Sequence, residues 1–163
     1  MNLATLAAGV LALLGSALIG GVFFAFSSFI MKALARVPSS EGIAVMQTIN
    51  VVVINPSFIG AFMGTALLSI VVIILVLMNG IHLATMFFIG GAVFYFVGTF
   101  LVTMFGNVPL NNQLAAAAVT DPDAAVLWMH YLNRWTMWNH IRTAAAIIAS
   151  LLFSLGLVQA AAA

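Results

Sequence analysis

The chain has 163 residues, of which 65% are hydrophobic and only 4% are Asp, Glu, Lys or Arg, and its formal net charge is +1. A soluble domain carries about 25% charged residues, so this composition excludes an ordinary soluble domain and indicates an integral membrane protein. The low charge gives no basis for binding nucleic acid, and the lack of cysteine excludes disulfides, thiolate metal sites, iron–sulfur clusters and covalent c-type haem.

Four apolar stretches predict membrane-spanning helices over residues 3–30, 56–78, 83–105 and 138–157. Each is about 20 residues or longer, which is enough to cross a hydrocarbon core of about 30 Å. The first stretch lacks a basic region before it and is too long for a cleaved signal peptide. Since no repeat or linker interrupts the pattern, we expect one all-α domain over residues 1–163, built as a four-helix transmembrane bundle.

Small residues at every fourth position permit close helix packing in membranes. In the first two stretches these residues are Ala8, Ala12, Ser16, Gly20, Gly60 and Gly64. We therefore expect tight packing at these faces, which would also suit association of two copies as a homo-oligomer.

The connections after the first and third stretches are predicted to contain short interfacial helices. Residues 42–54 repeat apolar side chains at three-to-four spacing, and Asn55 followed by Pro56 predicts a cap and the first turn of the second span. Residues 121–123 similarly predict the start of a helix, from about residue 123, that runs into the fourth span.

The basic side chains predict the orientation in the membrane. All four, Lys32, Arg36, Arg134 and Arg142, belong to the connections on one face or to the first turns beside them. Because lysine and arginine collect on the cytoplasmic side, we expect this face to be cytoplasmic and both termini to lie outside, in the cytoplasmic (inner) membrane.

Two polar motifs lie at this same face, Asn107-Val-Pro-Leu-Asn111 and Trp135-Thr-Met-Trp-Asn139-His140-Ile-Arg142. On a helix, Trp135, Trp138, Asn139 and Arg142 would share one stripe. The aromatic residues would also fit a belt at headgroup depth, with Arg142 extended to the surface. Asn139 and Arg142 favour a site instead, because polar residues entering a span usually face the bundle interior or a cavity.

Further amides are expected at the same level. Pro109 predicts the end of the third helix, with Asn111 or Asn112 capping the next one, which leaves Asn107 free to meet Asn139 or Arg142. From the other connection, the amide side chains that approach are Gln47, Asn50 and Asn55. A ring of amides around one guanidinium, walled by aromatic residues, suits a flat aromatic ligand with oxygens at its edge.

The chain has few side chains that could bind a metal ion or a haem. The three acids, Glu41, Asp121 and Asp123, lie in caps or connections, so a di-metal carboxylate site is not expected. His82 belongs to the opposite membrane face, and His130 and His140 would lie about 15 Å apart on one helix. We predict no cofactor; a haem held by a single histidine, alone or with a methionine, is the alternative.

Four motifs resemble those of the anthrone oxygenase-like family of small four-span membrane proteins. They are Met46-Gln47-x-x-Asn50, Asn55-Pro56-x-Phe58, Thr103-x-x-x-Asn107-Val-Pro-Leu-Asn111 and Trp128-x-x-Tyr131-x-x-x-Trp135-Thr-x-Trp138-Asn139-His140-x-Arg142-Thr143. The resemblance covers residues 25–148. Fungal members of the family are implicated in oxidising anthrones to anthraquinones, so the resemblance implies a metal-independent oxygenase that acts on a flat aromatic substrate.

The resemblance also implies roles for individual residues. His140 would be the base that forms an enolate, with His130 or solvent as the alternative, and the enolate oxygen would be held by Arg142, Asn139 and Asn107. The residues expected to bind the substrate are Trp135, Trp138, Tyr131, Asn111, Asn50, Asn55 and Gln47. Two other classes stay open: a non-catalytic membrane protein that binds or transports a quinone-like or lipid molecule, and a structural subunit.

Overall fold

The computed structural model describes residues 1–162, of which no residue is in a β-strand. The helices are α1 (Leu3–Leu34), α2 (Ser39–Val52), α3 (Pro56–Met78), α4 (Leu83–Ala115) and α5 (Ala124–Ala161). All except α2 are long and apolar enough to cross a membrane. The prediction of an all-α, four-helix transmembrane bundle is thus confirmed, and the chain is a multi-pass membrane protein.

Three of the helices are longer than their apolar stretches predicted. α1 continues to Leu34, α4 continues to Ala115, and α5 begins at Ala124 and has 38 residues. At 1.5 Å per residue α5 is about 57 Å long, nearly twice the thickness of a hydrocarbon core. The prediction that one helix runs from about residue 123 into the fourth span is confirmed. Within the described residues, the connection between α4 and α5 contains no separate interfacial helix, so that part of the prediction is wrong.

The long ends of α1, α4 and α5 pack with α2 into a second apolar cluster at one end of the bundle. We call it the end cluster, and its buried residues are Met31, Leu34, Ile43, Met46, Leu110, Leu114, Ala124, Trp128, Tyr131 and Trp135. The main core of the bundle lies beyond it, around Phe88 and Phe153. The two polar motifs of the sequence fall where these two cores meet.

The expectation that Pro109 ends a helix is wrong. α4 passes through two wider π-helical segments, Phe94–Leu101 and Thr103–Asn107, and resumes as an α-helix at Val108. Pro109 therefore occupies the first turn of the resumed α-helix, where a missing backbone N–H is tolerated. Asn111 and Asn112 consequently lie inside α4 and do not cap a new helix.

Small residues pack closely along α1 but not along α3. Ala12, Ser16 and Gly20 are buried, and a β-carbon on Gly20 would lie 3.3 Å from the Cβ of Ala146. Gly60 and Gly64 have only open space beside them, so the packing expected there is not made within the chain. Association of two copies through this outward face stays a prediction.

Gly98→Leu is expected to destabilise the bundle, whereas Gly60→Leu is not. A β-carbon on Gly98 would lie 2.5 Å from the Cβ of Ala145 on α5, so a side chain there forces α4 and α5 apart at a cost of about 1–3 kcal/mol. Thermal unfolding in detergent, followed by circular dichroism, measures the difference. Equal destabilisation by Gly60→Leu would contradict the open environment and indicate packing against a second copy.

Candidate functional site

Arg142 is the charged group around which the site is built. Its side chain is only 4% exposed, and its guanidinium carbon lies 4.0 Å from the ring centre of Phe23 and 5.0 Å from that of Trp135. Its hydrogen bonds go to neutral atoms: Nη2 donates to Asn139 Oδ1 at 2.7 Å and Nη1 to Thr103 Oγ1 at 3.3 Å. Within residues 1–162 no carboxylate accepts from it, and its Nε atom is buried without a partner.

Asn139 holds the guanidinium in place and ties α5 to α1. Its Nδ2 atom donates to the backbone oxygen of Phe23 at 2.8 Å and to Ser27 Oγ at 2.7 Å. Thr143 donates to the Asn139 backbone oxygen, so its hydroxyl oxygen can accept from Ser27 at 3.0 Å. Both hydrogens of the Asn139 amide are used, which leaves it no donor for a ligand. Asn139 therefore positions Arg142 and does not itself contact a bound oxygen.

Widened helical turns flank Arg142 on two sides. α1 contains a π-helical segment at Phe26–Ile30, and α4 contains the segment Thr103–Asn107. Thr103 donates to the backbone oxygen of Thr99 at 2.7 Å, and Thr99 donates to that of Arg142 at 3.3 Å. π-Helical turns are rare and occur frequently at functional sites, so their position beside the buried guanidinium supports a site here.

A pocket of about 380 Å³ opens beside Arg142. Its volume falls within the range of about 300–1,000 Å³ that is usual for small-molecule sites. Its aromatic walls are Phe23, Phe26, Phe58, Phe62 and Trp135, its polar residues are Asn50, Thr103, Asn111 and Arg142, and the rest are Val, Ile and Met. Arg142 is the only ionisable side chain in this lining.

Two asparagines, Asn50 and Asn111, belong to the lining of the pocket. Asn111 Oδ1 accepts from Tyr131 Oη and from Trp135 Nε1, both at 2.8 Å, so its Nδ2 atom is available to a ligand. Asn50 Nδ2 is buried and has no partner within residues 1–162. Asn111 Nδ2 is thus the amide donor that the lining leaves for a ligand, whereas Asn50 Nδ2 and Arg142 Nε are unpaired atoms buried beneath the pocket surface.

The aromatic residues of α5 form a buried column and not a lipid-facing belt. Trp128 and Tyr131 stack with ring centres 5.6 Å apart, and Tyr131 and Trp135 at 6.1 Å. All three are buried in the end cluster, and Arg142 is buried as well. The interpretation as an aromatic belt with a surface-directed Arg142 is therefore wrong for these residues. Tyr131 does not line the pocket, but its hydrogen bond holds Asn111, which does.

Several predicted site residues lie outside the pocket. Asn107 is buried and donates to the backbone oxygen of Trp135 at 3.1 Å. Trp138 packs on Gly106, where a β-carbon would lie 2.8 Å from the indole. His140 is exposed and lines a separate open groove with Lys32, and His130 is exposed as well. The structure therefore does not bring either histidine to Arg142.

Gln47 and Asn55 have structural contacts at the edges of α2. Gln47 Nε2 donates to the backbone oxygens of Leu114 at 2.8 Å and Ala117 at 3.1 Å, which fastens α2 to the end of α4. Asn55 Oδ1 accepts from the backbone N–H of Phe58 at 3.0 Å and caps α3, as predicted. Neither residue lines the pocket.

Most residues of the aromatic wall could not be identified from the sequence. Phe23, Phe26, Phe58 and Phe62 come from α1 and α3, at the three- and four-residue spacing that a lipid-facing helix also shows. Thr103 belongs to a family motif but was not expected at the site. No group of three or more His, Cys, Asp or Glu residues in the described part of the chain is placed to hold a metal ion.

Asn139→Ala is expected to lower stability by about 1–3 kcal/mol, because it removes the buried acceptor of Arg142 Nη2 and the donor to Phe23 and Ser27 of α1. Asn133→Ala is the matched control, since Asn133 is exposed on the same helix. Thermal unfolding of both variants in detergent checks this. Equal midpoints for the two variants would show that the Asn139 network does not hold α5 against α1.

Comparison with known protein families finds a match for this chain. The model of the family described as anthrone oxygenase matches residues 56–152, more than half of the chain. This match covers α3, α4 and most of α5, and with them Thr103, Asn111, Trp135 and Arg142. No curated protein and no solved structure matches the chain.

Proposed function

Because this chain belongs to the anthrone oxygenase family, we propose that it oxidises a flat, anthrone-like aromatic substrate with dioxygen in the pocket beside Arg142. The observation that carries the proposal is a buried guanidinium that lacks a carboxylate partner and faces an aromatic pocket. A buried charge of this kind is costly unless it is used, and an oxygen that becomes negative during a reaction would use it.

The chemistry needs little from the protein. An anthrone carries a methylene group opposite its carbonyl, and loss of a methylene proton gives an enolate whose charge lies on oxygen. Dioxygen adds to the former methylene carbon, and protonation gives a hydroperoxide. Loss of water then leaves a second carbonyl, so anthrone and dioxygen yield anthraquinone and water. Arg142 would stabilise the enolate oxygen, and the aromatic walls would hold the ring system flat.

The proton acceptor in this proposal is solvent. His140 and His130 are both exposed and outside the pocket. Water therefore fits the geometry better as the base than either imidazole does. Asn139 and Asn107 become positioning residues in this scheme, since their amides already hold Phe23 and Trp135.

The pocket has an apolar mouth on the side of the bundle. Ile54, Met63 and Met104 line the pocket and are also 72%, 46% and 42% exposed. Met63 lies two turns into α3, a helix apolar enough to span the membrane. A mouth with this lining favours access from the bilayer, so we propose that the substrate is lipid-soluble and reaches Arg142 sideways.

Arg142→Met is expected to abolish oxygen uptake with an anthrone. Loss of one donor to a developing oxyanion typically lowers kcat by about 10²–10³-fold. Arg134→Met is the control, because Arg134 is exposed on the same helix. An oxygen electrode and the absorbance of the quinone product follow the reaction, each corrected for spontaneous oxidation. Full turnover by Arg142→Met would refute the role of the guanidinium.

Met63→Trp is expected to narrow the mouth and to lower the rate at limiting concentrations of a membrane-dissolved anthrone severalfold. Leu67→Trp is the control, since Leu67 is 64% exposed one turn further along α3 and does not line the pocket. Measurement in nanodiscs at varied substrate-to-lipid ratios compares the two variants. Equal rates would place the route of the substrate elsewhere.

One feature favours a second candidate function, the non-catalytic binding or transport of a quinone-like or lipid molecule. Arg142 is the only ionisable side chain in the pocket lining, so no side chain there can act as a base. A carrier would bind the same aromatic ligands and release them unchanged. Recovery of an intact anthrone under air, with binding abolished by Arg142→Met, would decide for this candidate.

A further inference from the structure

We propose that the pocket binds its ligand as the anion, so that its substrates are aromatic enols or phenols whose proton is released to the solvent on binding. This inference rests on the proposed function, because it concerns the same pocket. It goes further in naming the state of the bound molecule and in excluding as good ligands the aromatic ketones and ethers that cannot ionise.

The buried charge of Arg142 has no carboxylate beside it within residues 1–162. The guanidinium is enclosed by two rings and held by two neutral acceptors, Asn139 and Thr103, while its Nε atom has no acceptor. The three carboxylates of the chain belong to exposed residues. A bound anion in the pocket would supply the missing countercharge.

The titratable side chains around the pocket determine whether a bound ligand could share its proton with the protein. From α5 the titratable group that faces Arg142 is the Tyr131 phenol, which already donates to Asn111. The residues that line the pocket from α1, α2, α3 and α4 carry no titratable side chain. Lys32 of α1 lines a separate groove, and Glu41 of α2 is exposed. The pocket therefore favours the anion and offers no group to share the proton.

Binding of the ligand is linked to its ionisation. If the pocket binds the anion more tightly than the neutral form by some factor, the pKa of the bound ligand falls by the logarithm of that factor, one unit for each tenfold preference. Affinity for an acidic ligand should therefore rise by up to tenfold per pH unit between the pKa of the bound ligand and that of the free ligand, and level off outside this range. A neutral ligand of the same shape should show no such rise.

The experiment uses a coloured, product-like probe, so it requires no turnover. The probe is 2-hydroxyanthraquinone, whose phenolate absorbs at longer wavelength than its phenol, and 2-methoxyanthraquinone is the neutral match. Full-length protein in a non-ionic detergent is titrated over pH with protein in excess. We expect the ionisation midpoint of the bound probe to lie at least one unit below its value in empty micelles, and the methoxy compound to bind at least tenfold more weakly.

Variants assign the effect to Arg142. Arg142→Met should remove the shift, Arg142→Lys should keep part of it, and Arg134→Met should keep all of it. If Arg142→Met does not fold, the comparison of the two probes on the unaltered protein still decides. An unchanged or raised midpoint, equal binding of the two probes, or binding of neither probe would overturn the inference.

The outcome is separable from that of the proposed oxygenase. A lowered midpoint without oxygen uptake would support anion binding and refute catalysis. Oxygen uptake with an unshifted midpoint would support the oxygenase, with the enolate formed only in passing, and would refute binding of the ligand as the anion.

Discussion

The hydrogen bond between Arg142 and Asn139 is the contact on which the site depends. It lies within one turn of α5, and the remaining atoms of the Asn139 amide reach across to α1. Helix packing and the position of the charge are therefore set by the same side chain. In a bundle whose interior is largely apolar, this arrangement keeps a guanidinium at a defined depth, since the charge is costly there without fixed polar partners.

Much of the fold could be predicted, because a hydrocarbon core demands long apolar helices and the chain has four of them. The ends could not be predicted from hydropathy. Residues 106–115 and 124–137 are polar enough to resemble connections, yet they continue α4 and α5 because the end cluster buries one face of each. The prediction that Pro109 ends a helix failed for a related reason. The π-helical turn before Pro109 removes the need for its backbone N–H, and such a turn has no pattern in the sequence.

The site could be predicted in part. Arg142, Trp135, Asn111 and Asn50 are scarce polar or aromatic groups in an apolar chain, and the structure gathers them at one pocket. His140 shows the limit of this reasoning. It lies next to Asn139 in sequence, but adjacent residues on a helix point about 100° apart, so its side chain faces the outer groove. The phenylalanine wall was missed because scarcity, the useful signal, does not apply to a common residue.

The π-helical turns have a consequence for how such a pocket could arise and change. A turn that closes over one more residue has the same effect as a single-residue insertion, which alters the phase of everything beyond it. In α4 two such segments flank the contacts that Thr99 and Thr103 make with Arg142, at its backbone oxygen and at its guanidinium. The gain or loss of one residue at such a segment would therefore change which side chains point into the cavity.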